Sequence, residues 1–296
     1  MSDHALRSIP TPRPTGLLAR PWAVPTLLLA PCLIWIFAFF LLPLGLMCWR
    51  SLASEGFSLA PYATLFTSQL YLKVMLTTCK MASIATVCAL LLAYPIAYTL
   101  TVSSGKVRGA ILLFILIPYW VDIIVRSFSW LILLGDNGLI NKALIGLGLV
   151  QAPLALLYNP FSVLIAMVQI LLPLATIVLF GAMLRIDRTL MSAATIHGAG
   201  AWAAFRTVFF PLSLPGVYGA GLLVFVLALG FYVTPALLGS PRETMIAQTI
   251  MVDATQLLDW AQASAAGSVL LLITTAIAIL YNRTFSLDRL WGGADR

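Results

Sequence analysis

Long uncharged apolar runs alternate with short polar segments along this chain of 296 residues. A helix needs about 20 apolar residues to cross the hydrocarbon core of a membrane, and a charge near its centre costs about 3 kcal/mol. Six runs are long enough, although the third contains Asp122 and Arg126, and the predicted spans are residues 23–49, 81–105, 109–134, 161–184, 212–236 and 262–282. The pattern therefore predicts an all-α integral membrane protein with six transmembrane helices.

The composition agrees with this pattern. Apolar residues make up 61% of the chain, charged residues make up only 9%, and the mean hydropathy is +1.01. Soluble domains carry about 25% charged residues. The composition therefore excludes a water-soluble enzyme and indicates a protein whose main partner is the lipid bilayer.

The lysines and arginines predict the orientation of the spans. With a cytoplasmic N-terminus, eleven of the seventeen basic residues fall in cytoplasmic segments, as the positive-inside rule requires. These eleven are Arg7, Arg13, Arg20, Lys106, Arg108, Arg185, Arg188, Arg206, Arg283, Arg289 and Arg296. Topology thus explains the net charge of +7, and no nucleic-acid partner is predicted. We expect cytoplasmic tails at residues 1–22 and 285–296, a transmembrane domain at residues 23–284, and both termini in the cytoplasm.

The sequence contains no recognisable pattern of catalytic residues. The chain has no Walker lysine motif, glycine-rich phosphate loop or Ser/His/Asp arrangement. Its four cysteines, Cys32, Cys48, Cys79 and Cys88, lie in or beside the first two spans without CxxC spacing and are interpreted as apolar side chains. We therefore predict no enzyme activity, no metal and no cofactor bound by this chain, and an energy source outside it.

The loop at residues 185–211 is polar and broken by glycine. Asp187 is expected to cap a first short helix by accepting hydrogen bonds from its free N–H groups. Gly198 and Gly200 allow a sharp change of direction that residues with a Cβ atom resist. The loop is predicted to form a helix, a turn and a second helix, and the alternative is an amphipathic helix on the inner leaflet.

Prolines mark the end of this loop. The second helical piece, residues 202–210, is predicted to end at Pro211, because proline has no N–H group for a helix interior. Pro215 and Gly216 are expected to mark the entry to the fifth span.

The spacing of these residues resembles the EAA motif of permease subunits in ABC importers. That motif has Glu-Ala-Ala, three residues, Gly, nine residues, an apolar residue, any residue, a second apolar residue and Pro. The matching positions are Ser192, Ala193, Ala194, Gly198, Val208, Phe210 and Pro211. Ser192 replaces the glutamate of the family, so one salt bridge to a partner is expected to be missing while the docking geometry is kept.

Other segments resemble the spermidine/putrescine branch of that family. They are residues 117–120 and 125–126 in the third span, residues 135–141 after it, and residues 232–239 after the fifth span. The resemblance covers about residues 25–285 and implies the type I ABC importer permease fold in a bacterial inner membrane. It also implies half of a translocation path for a small cationic solute, expected to be a polyamine.

The same resemblance implies the partners. In this family a second permease subunit, expected here to be a different chain, completes the path. Two cytoplasmic ATPase subunits bind ATP, and an extracytoplasmic solute-binding protein delivers the solute. The ATPase-coupling loop would comprise Ser192, Ala193, Ala194, Gly198, Val208, Phe210, Pro211, Pro215 and Gly216.

Candidate residues for the solute path lie in the third span and after the fifth. They are Tyr119, Trp120, Asp122, Arg126, Tyr232 and Thr234. Asp122 and Arg126 are four residues apart, so they share a helix face and can neutralise each other. Alternatively, Asp122 attracts a cationic amine, to which the aromatic rings add cation–π contacts.

Three acidic residues lie between the fifth and sixth spans. Glu243, Asp253 and Asp259 are expected to be solvated or to contact the solute-binding protein, where they could also attract a cation.

Two other functions fit a polytopic chain without catalytic residues. A secondary transporter driven by an ion gradient is one, although such proteins have inverted repeats, which this sequence does not display. The other is an ABC importer permease for a different small solute.

Overall fold

The computed structural model describes residues 23–53 and 56–285. The predicted tails at residues 1–22 and 285–296 lie outside this part, except for Phe285. Within the described residues the regular structure is helical and no strand occurs. The all-α prediction is therefore confirmed.

The first helix, α1, forms a unit by itself that ends at Arg50. It consists of Ala23–Ile36, a π-helical turn at Phe37–Leu41, and Leu42–Arg50. None of the side chains from Phe37 to Arg50 is buried, as expected for a single helix whose apolar surface faces lipid or another subunit.

The second unit begins at Ser51. Its described helices are α2 (Ala60–Thr67), α3 (Gln69–Val102), α4 (Gly105–Trp120), α5 (Ile123–Leu134), α6 (Leu139–Gly146), α7 (Pro160–Met183), α8 (Thr189–Ile196), α9 (Ala201–Leu229), α10 (Val233–Leu238), α11 (Ile246–Thr255) and α12 (Trp260–Phe285).

Six stretches of the described helices are long and apolar enough to cross a membrane. They are Leu29–Arg50, Gln69–Val102, Ile123–Gly146, Pro160–Met183, Ala201–Leu229 and Trp260–Tyr281. The predicted number of spans is confirmed, and the first, fourth and sixth agree closely with their predicted bounds. The second, third and fifth differ.

The second span, α3, begins twelve residues earlier than predicted. It has 34 residues and is therefore about 51 Å long, whereas the hydrocarbon core is about 30 Å thick. The prediction stopped at Lys80 because it excluded charge, but Lys73 and Lys80 both lie on the exposed side of the helix. The N-terminal part of α3 thus extends beyond the hydrocarbon.

The third span is broken, and the prediction of one continuous run was wrong. α4 ends at Trp120, and α5 begins after Asp122, whose Oδ1 accepts a hydrogen bond from the Ile124 N–H at 2.8 Å. Pro118 lies in the last turn of α4 and cannot donate to the helical ladder, while the capping carboxylate favours a new helix start.

The break lies at middle depth. Tyr119 of α4 and Arg126 of α5 line the same cavity as Leu171, which is near the middle of α7. A turn at residues 135–138 separates α5 from α6. We therefore assign the third crossing to α4 and α5 together rather than to α5 and α6.

The fifth span starts and ends earlier than predicted. α9 runs without a break from Ala201 to Leu229, so the predicted helix end at Pro211 was wrong. A π-helical turn at Phe205–Phe209 precedes Pro211, and this local change in the hydrogen-bond pattern accommodates a residue that has no N–H to donate. Residues 233–238 belong to the separate helix α10.

Small side chains fill the contacts among α3, α7 and α9. Five alanines of α3 are fully buried in this core: Ala82, Ala85, Ala89, Ala93 and Ala97. They recur every four residues or fewer, so they form one stripe along the helix and let neighbouring helices approach closely.

A second cluster, here named the platform, joins α2 and the N-terminal part of α3 to α11 and the start of α12. Its buried apolar residues are Leu65, Tyr71, Val74, Ile246, Ala265, Ala266 and Val269. The Tyr71 hydroxyl donates to Asp253 Oδ2 at 2.9 Å, and Thr78 Oγ1 accepts from the Ile246 N–H at 2.8 Å.

Two of the three acidic residues expected in solvent are buried. Burial raises the pKa of the Asp253 carboxyl, and the hydrogen bond from Tyr71 opposes that shift. Glu243 accepts from the Ser240 N–H at 2.9 Å. Each carboxylate has a hydrogen-bond donor because burial without one is costly, and only Asp259 is exposed as expected.

Candidate coupling surface and solute cavity

α8, the helix that carries the predicted docking residues, ends in a Schellman turn. Gly198 has a φ of +89°, which a residue with a Cβ atom adopts only at a cost. The Gly198 N–H donates to Thr195 O and the Ala199 N–H to Ala194 O, each at 3.0 Å, which is the bond pair of this motif. Gly200 has an ordinary φ of −65°. Of the two predicted turn glycines, only Gly198 uses its conformational freedom.

The start of α8 confirms the predicted cap. Asp187 Oδ1 accepts a hydrogen bond from the Thr189 N–H at 2.9 Å. This bond lowers the pKa of the Asp187 carboxyl, so the group is ionised at neutral pH, where its charge also favours a helix N-terminus.

Two arginines close the C-terminal end of α3. Arg188, just before α8, donates to Thr101 O, and Arg108 Nε donates to Leu100 O at 2.9 Å. Carbonyl groups at a helix C-terminus have no partner within the helix, and a cation there interacts favourably with the negative end of the helix dipole. Arg188 therefore joins the coupling loop to α3. In the sequence both arginines indicated only topology, and no local pattern predicts the contact of Arg188, which joins residues 87 positions apart.

An aromatic cluster joins α3 to α9 beside this arginine contact. The Tyr98 ring lies 5.2 Å from the Phe205 ring and 5.0 Å from the Phe209 ring, both edge-on. The Tyr94 ring lies 5.9 Å from the Phe210 ring, and its hydroxyl is 2.8 Å from the Ser213 hydroxyl. Such aromatic pairs contribute about 1 kcal/mol each beyond burial, so the start of α9 is held firmly against α3.

The outer face of α8 is uncovered. Ser192 and Ala193 are exposed and Ala194 is half-buried. Ile196 is 83% exposed, and Trp202, at the start of α9, is 72% exposed. Large apolar side chains beside small exposed ones are typical of an interaction surface.

The remaining predicted coupling residues lie within α9. Phe210 and Pro211 are exposed, and Val208 and Pro215 are half-buried. Gly216 is buried, and a Cβ atom there would overlap the Ala182 methyl group of α7. Gly216 is therefore a packing residue between two spans and does not mark the entry to one.

Some of the candidate path residues meet in a cavity of about 310 Å³. Tyr119, Arg126 and Tyr232 line it together with apolar side chains of α7 and α9. Trp120, which is 86% exposed, and Asp122 do not line it. Thr234 is fully buried, with its hydroxyl 3.2 Å from that of Ser127.

Arg126 forms no hydrogen bond with the Asp122 carboxylate. Its Nε and Nη1 atoms are buried and have no hydrogen-bond partner among the described residues, while Asp122 Oδ1 binds the Ile124 N–H. Asp122 therefore caps α5, and its charge still lies close enough to interact with Arg126 across one helical turn.

The family model described as "Binding-protein-dependent transport system inner membrane component" matches residues 85–286, more than half of the chain. The chain belongs to this family. It is a multi-pass transport subunit of the bacterial inner membrane, a permease of an ABC importer, and its predicted fold is confirmed.

The permease is similar to two curated proteins. It is 31% identical over 231 residues to the spermidine/putrescine transport system permease protein PotB of Escherichia coli (strain K12), and the match covers 78% of this chain and 84% of that protein. It is 28% identical over 212 residues to the molybdenum transport system permease protein ModB of Azotobacter vinelandii, with 70% and 92% covered.

Its fold is similar to that of a solved transporter. A chain of a bacterial ABC transporter involved in the import of the acidic polysaccharide alginate superposes with a TM-score of 0.72 at 20% identity. The match covers 90% of this permease and 96% of that chain. The likeness concerns the fold.

Proposed function

We propose that this permease forms half of the path by which an ABC importer carries a polyamine across the inner membrane. Its similarity to permeases named for spermidine and putrescine transport supports this solute class. A second permease of different sequence would complete the path, and a solute-binding protein would deliver the polyamine at the platform. Two ATPase subunits would bind ATP, so this chain itself needs no cofactor.

One ATPase subunit is proposed to dock on the outer face of α8. The observation that carries this proposal is the uncovered surface around Ala193, Ile196 and Trp202, set by the turn at Gly198. Ser192 lacks a carboxylate, so the fit depends on shape more than on charge.

Motion of α8 would reach the rest of the permease through α3. Arg188, at the N-terminal end of α8, donates a hydrogen bond to Thr101 O at the C-terminal end of α3. The aromatic cluster packs the start of α9 against the same end of α3. The far end of α3 lies in the platform, about 51 Å away. A cavity of about 660 Å³ beside α8, lined by Leu190 and Tyr281 among others, leaves room for α8 to shift.

The α8 side is proposed to be cytoplasmic. Arg185, Arg188 and Arg206 all belong to this end of the molecule, which accords with the positive-inside rule. Both termini then lie in the cytoplasm, because six spans return the chain to the side on which it began.

In the solute cavity, Tyr119 and Tyr232 are proposed to contact the amine through their rings. Asp122 and Thr234, both candidates from the sequence, lie outside the cavity lining, where Asp122 caps α5 and Thr234 joins α10 to α5.

Competition for uptake tests the solute class. The importer, with the permease, its partner subunits and binding protein, is placed in proteoliposomes with internal ATP and external labelled putrescine. We expect uptake that excess unlabelled spermidine inhibits and that excess molybdate leaves unchanged. Inhibition by molybdate, or uptake of another solute in place of putrescine, would contradict the proposal.

A further inference from the structure

Arg126 is a cation without a hydrogen-bonded counter-charge in the solute cavity. Two of its three guanidinium nitrogen atoms are buried without a hydrogen-bond partner among the described residues. The cavity is otherwise lined by aromatic and aliphatic side chains, such as Tyr119, Leu174 and Phe231, and none of its described lining residues is acidic. The nearest carboxylate along the chain, Asp122, accepts a hydrogen bond from the Ile124 N–H through Oδ1 and interacts with Arg126 only through its charge.

A cation at this depth that has no hydrogen-bonded counter-charge repels other cations. At an effective dielectric constant of about 20 and a separation of about 6 Å, the repulsion lowers the occupancy of a monovalent cation about a hundredfold. Pores that must exclude small cations use a fixed arginine in this way.

We propose that Arg126 is a specificity residue that closes the path to small inorganic cations. The inference rests on the proposed place of the cavity in the path. A polyamine would pass only when a carboxylate approaches Arg126, and Asp122 is one helical turn away. Arg126 thus prevents a leak, and Asp122 lowers the barrier during transport.

Passive efflux of rubidium ion tests the barrier. The complete importer is placed in proteoliposomes loaded with labelled rubidium, without ATP, binding protein or polyamine. We expect Arg126→Gln to raise efflux by about tenfold or more over the wild type, and Arg126→Lys to keep efflux low because it keeps the charge.

Asp122→Asn is the matched control. Asparagine caps a helix as well as aspartate does, so this variant removes the carboxylate and keeps the start of α5. We expect its rubidium efflux to stay at the wild-type level while its putrescine uptake falls. A leak equal to that of Arg126→Gln would contradict the assignment of the barrier to Arg126.

A second variant keeps Arg126 unchanged. Tyr119→Glu places a carboxylate in the cavity, and we expect it also to raise rubidium efflux. If neither this variant nor Arg126→Gln leaks, the inference is overturned. A second result would also overturn it: Arg126→Gln shows no rise in rubidium efflux but loses putrescine uptake, and Arg126→Lys keeps that uptake. Arg126 would then bind an oxygen atom of the solute. If Arg126→Gln raises rubidium efflux but the wild-type importer carries no polyamine, the barrier at Arg126 is supported and only the proposed solute is contradicted.

Discussion

Gly216→Ala is expected to lower the melting temperature of the permease by about 5 °C. Gly216 of α9 is buried, and an added Cβ atom would overlap the Ala182 methyl group of α7. Both atoms are Cβ atoms, which are fixed in position by the helix backbones and cannot rotate away, so α7 and α9 must separate. Overpacking of this kind costs about 1–3 kcal/mol. The melting temperature of the purified importer measures the effect.

Two further variants separate packing from a general effect of alanine. Gly181→Ala adds the same methyl group one residue before Ala182, at a position where nothing lies within 4 Å, and should leave the melting temperature unchanged. Ala182→Gly removes the overlapping methyl group and should restore the stability of Gly216→Ala. Equal losses at Gly181 and Gly216, or no rescue, would contradict the close packing of α7 on α9.

Gly198→Ser is expected to reduce solute uptake about tenfold while the importer still assembles and hydrolyses ATP. Serine at a φ of +89° costs about 1–2 kcal/mol. The Schellman turn would relieve this strain by rotating the end of α8, which would misalign the docking surface. Uptake and ATP hydrolysis, measured on the same proteoliposomes, give the ratio of solute carried to ATP consumed.

Gly200→Ser is the matched control for that variant. Both glycines have open space around a Cβ atom, but Gly200 has an ordinary φ and precedes the first residue of α9, where serine is a favoured cap. We expect its coupling ratio to equal that of the wild type. A similar loss in both variants would mean that the loop responds to any added side chain and not to the turn at Gly198.

The spans could be predicted wherever an apolar run ends at a charge or a capping residue. The fourth span begins after Asn159, whose side chain accepts a hydrogen bond from the Ser162 N–H at 3.1 Å, and it ends just before Arg185. A search for uncharged runs could not find the N-terminal part of α3, because this part contains lysines. Those lysines lie on the exposed side of the helix, while Tyr71 and Val74 are buried in the platform.

The coupling loop was predictable in sequence position but not in its attachments. The spacing of Ser192, Ala193 and Gly198 indicated a helix and a turn, and both are present. The contacts of Arg188 with α3 and of Gly216 with α7 depend on tertiary packing between distant segments, and no local pattern predicts them.

The solute path was the least predictable part. Asp122 and Arg126 have the spacing of a helical ion pair, but Asp122 is the cap of α5 and its Oδ1 binds the Ile124 N–H. Arg126 lies in the cavity without a hydrogen bond to its expected partner. A capping aspartate after a proline-containing turn was the available signal for this break.

The energy source of transport tests the central claim most directly. The complete importer in proteoliposomes is supplied with labelled putrescine and with either internal ATP or an imposed proton or sodium gradient, with and without the binding protein. A permease subunit driven through α8 predicts uptake that requires both ATP and the binding protein. Uptake driven by an ion gradient in the absence of ATP would contradict the account.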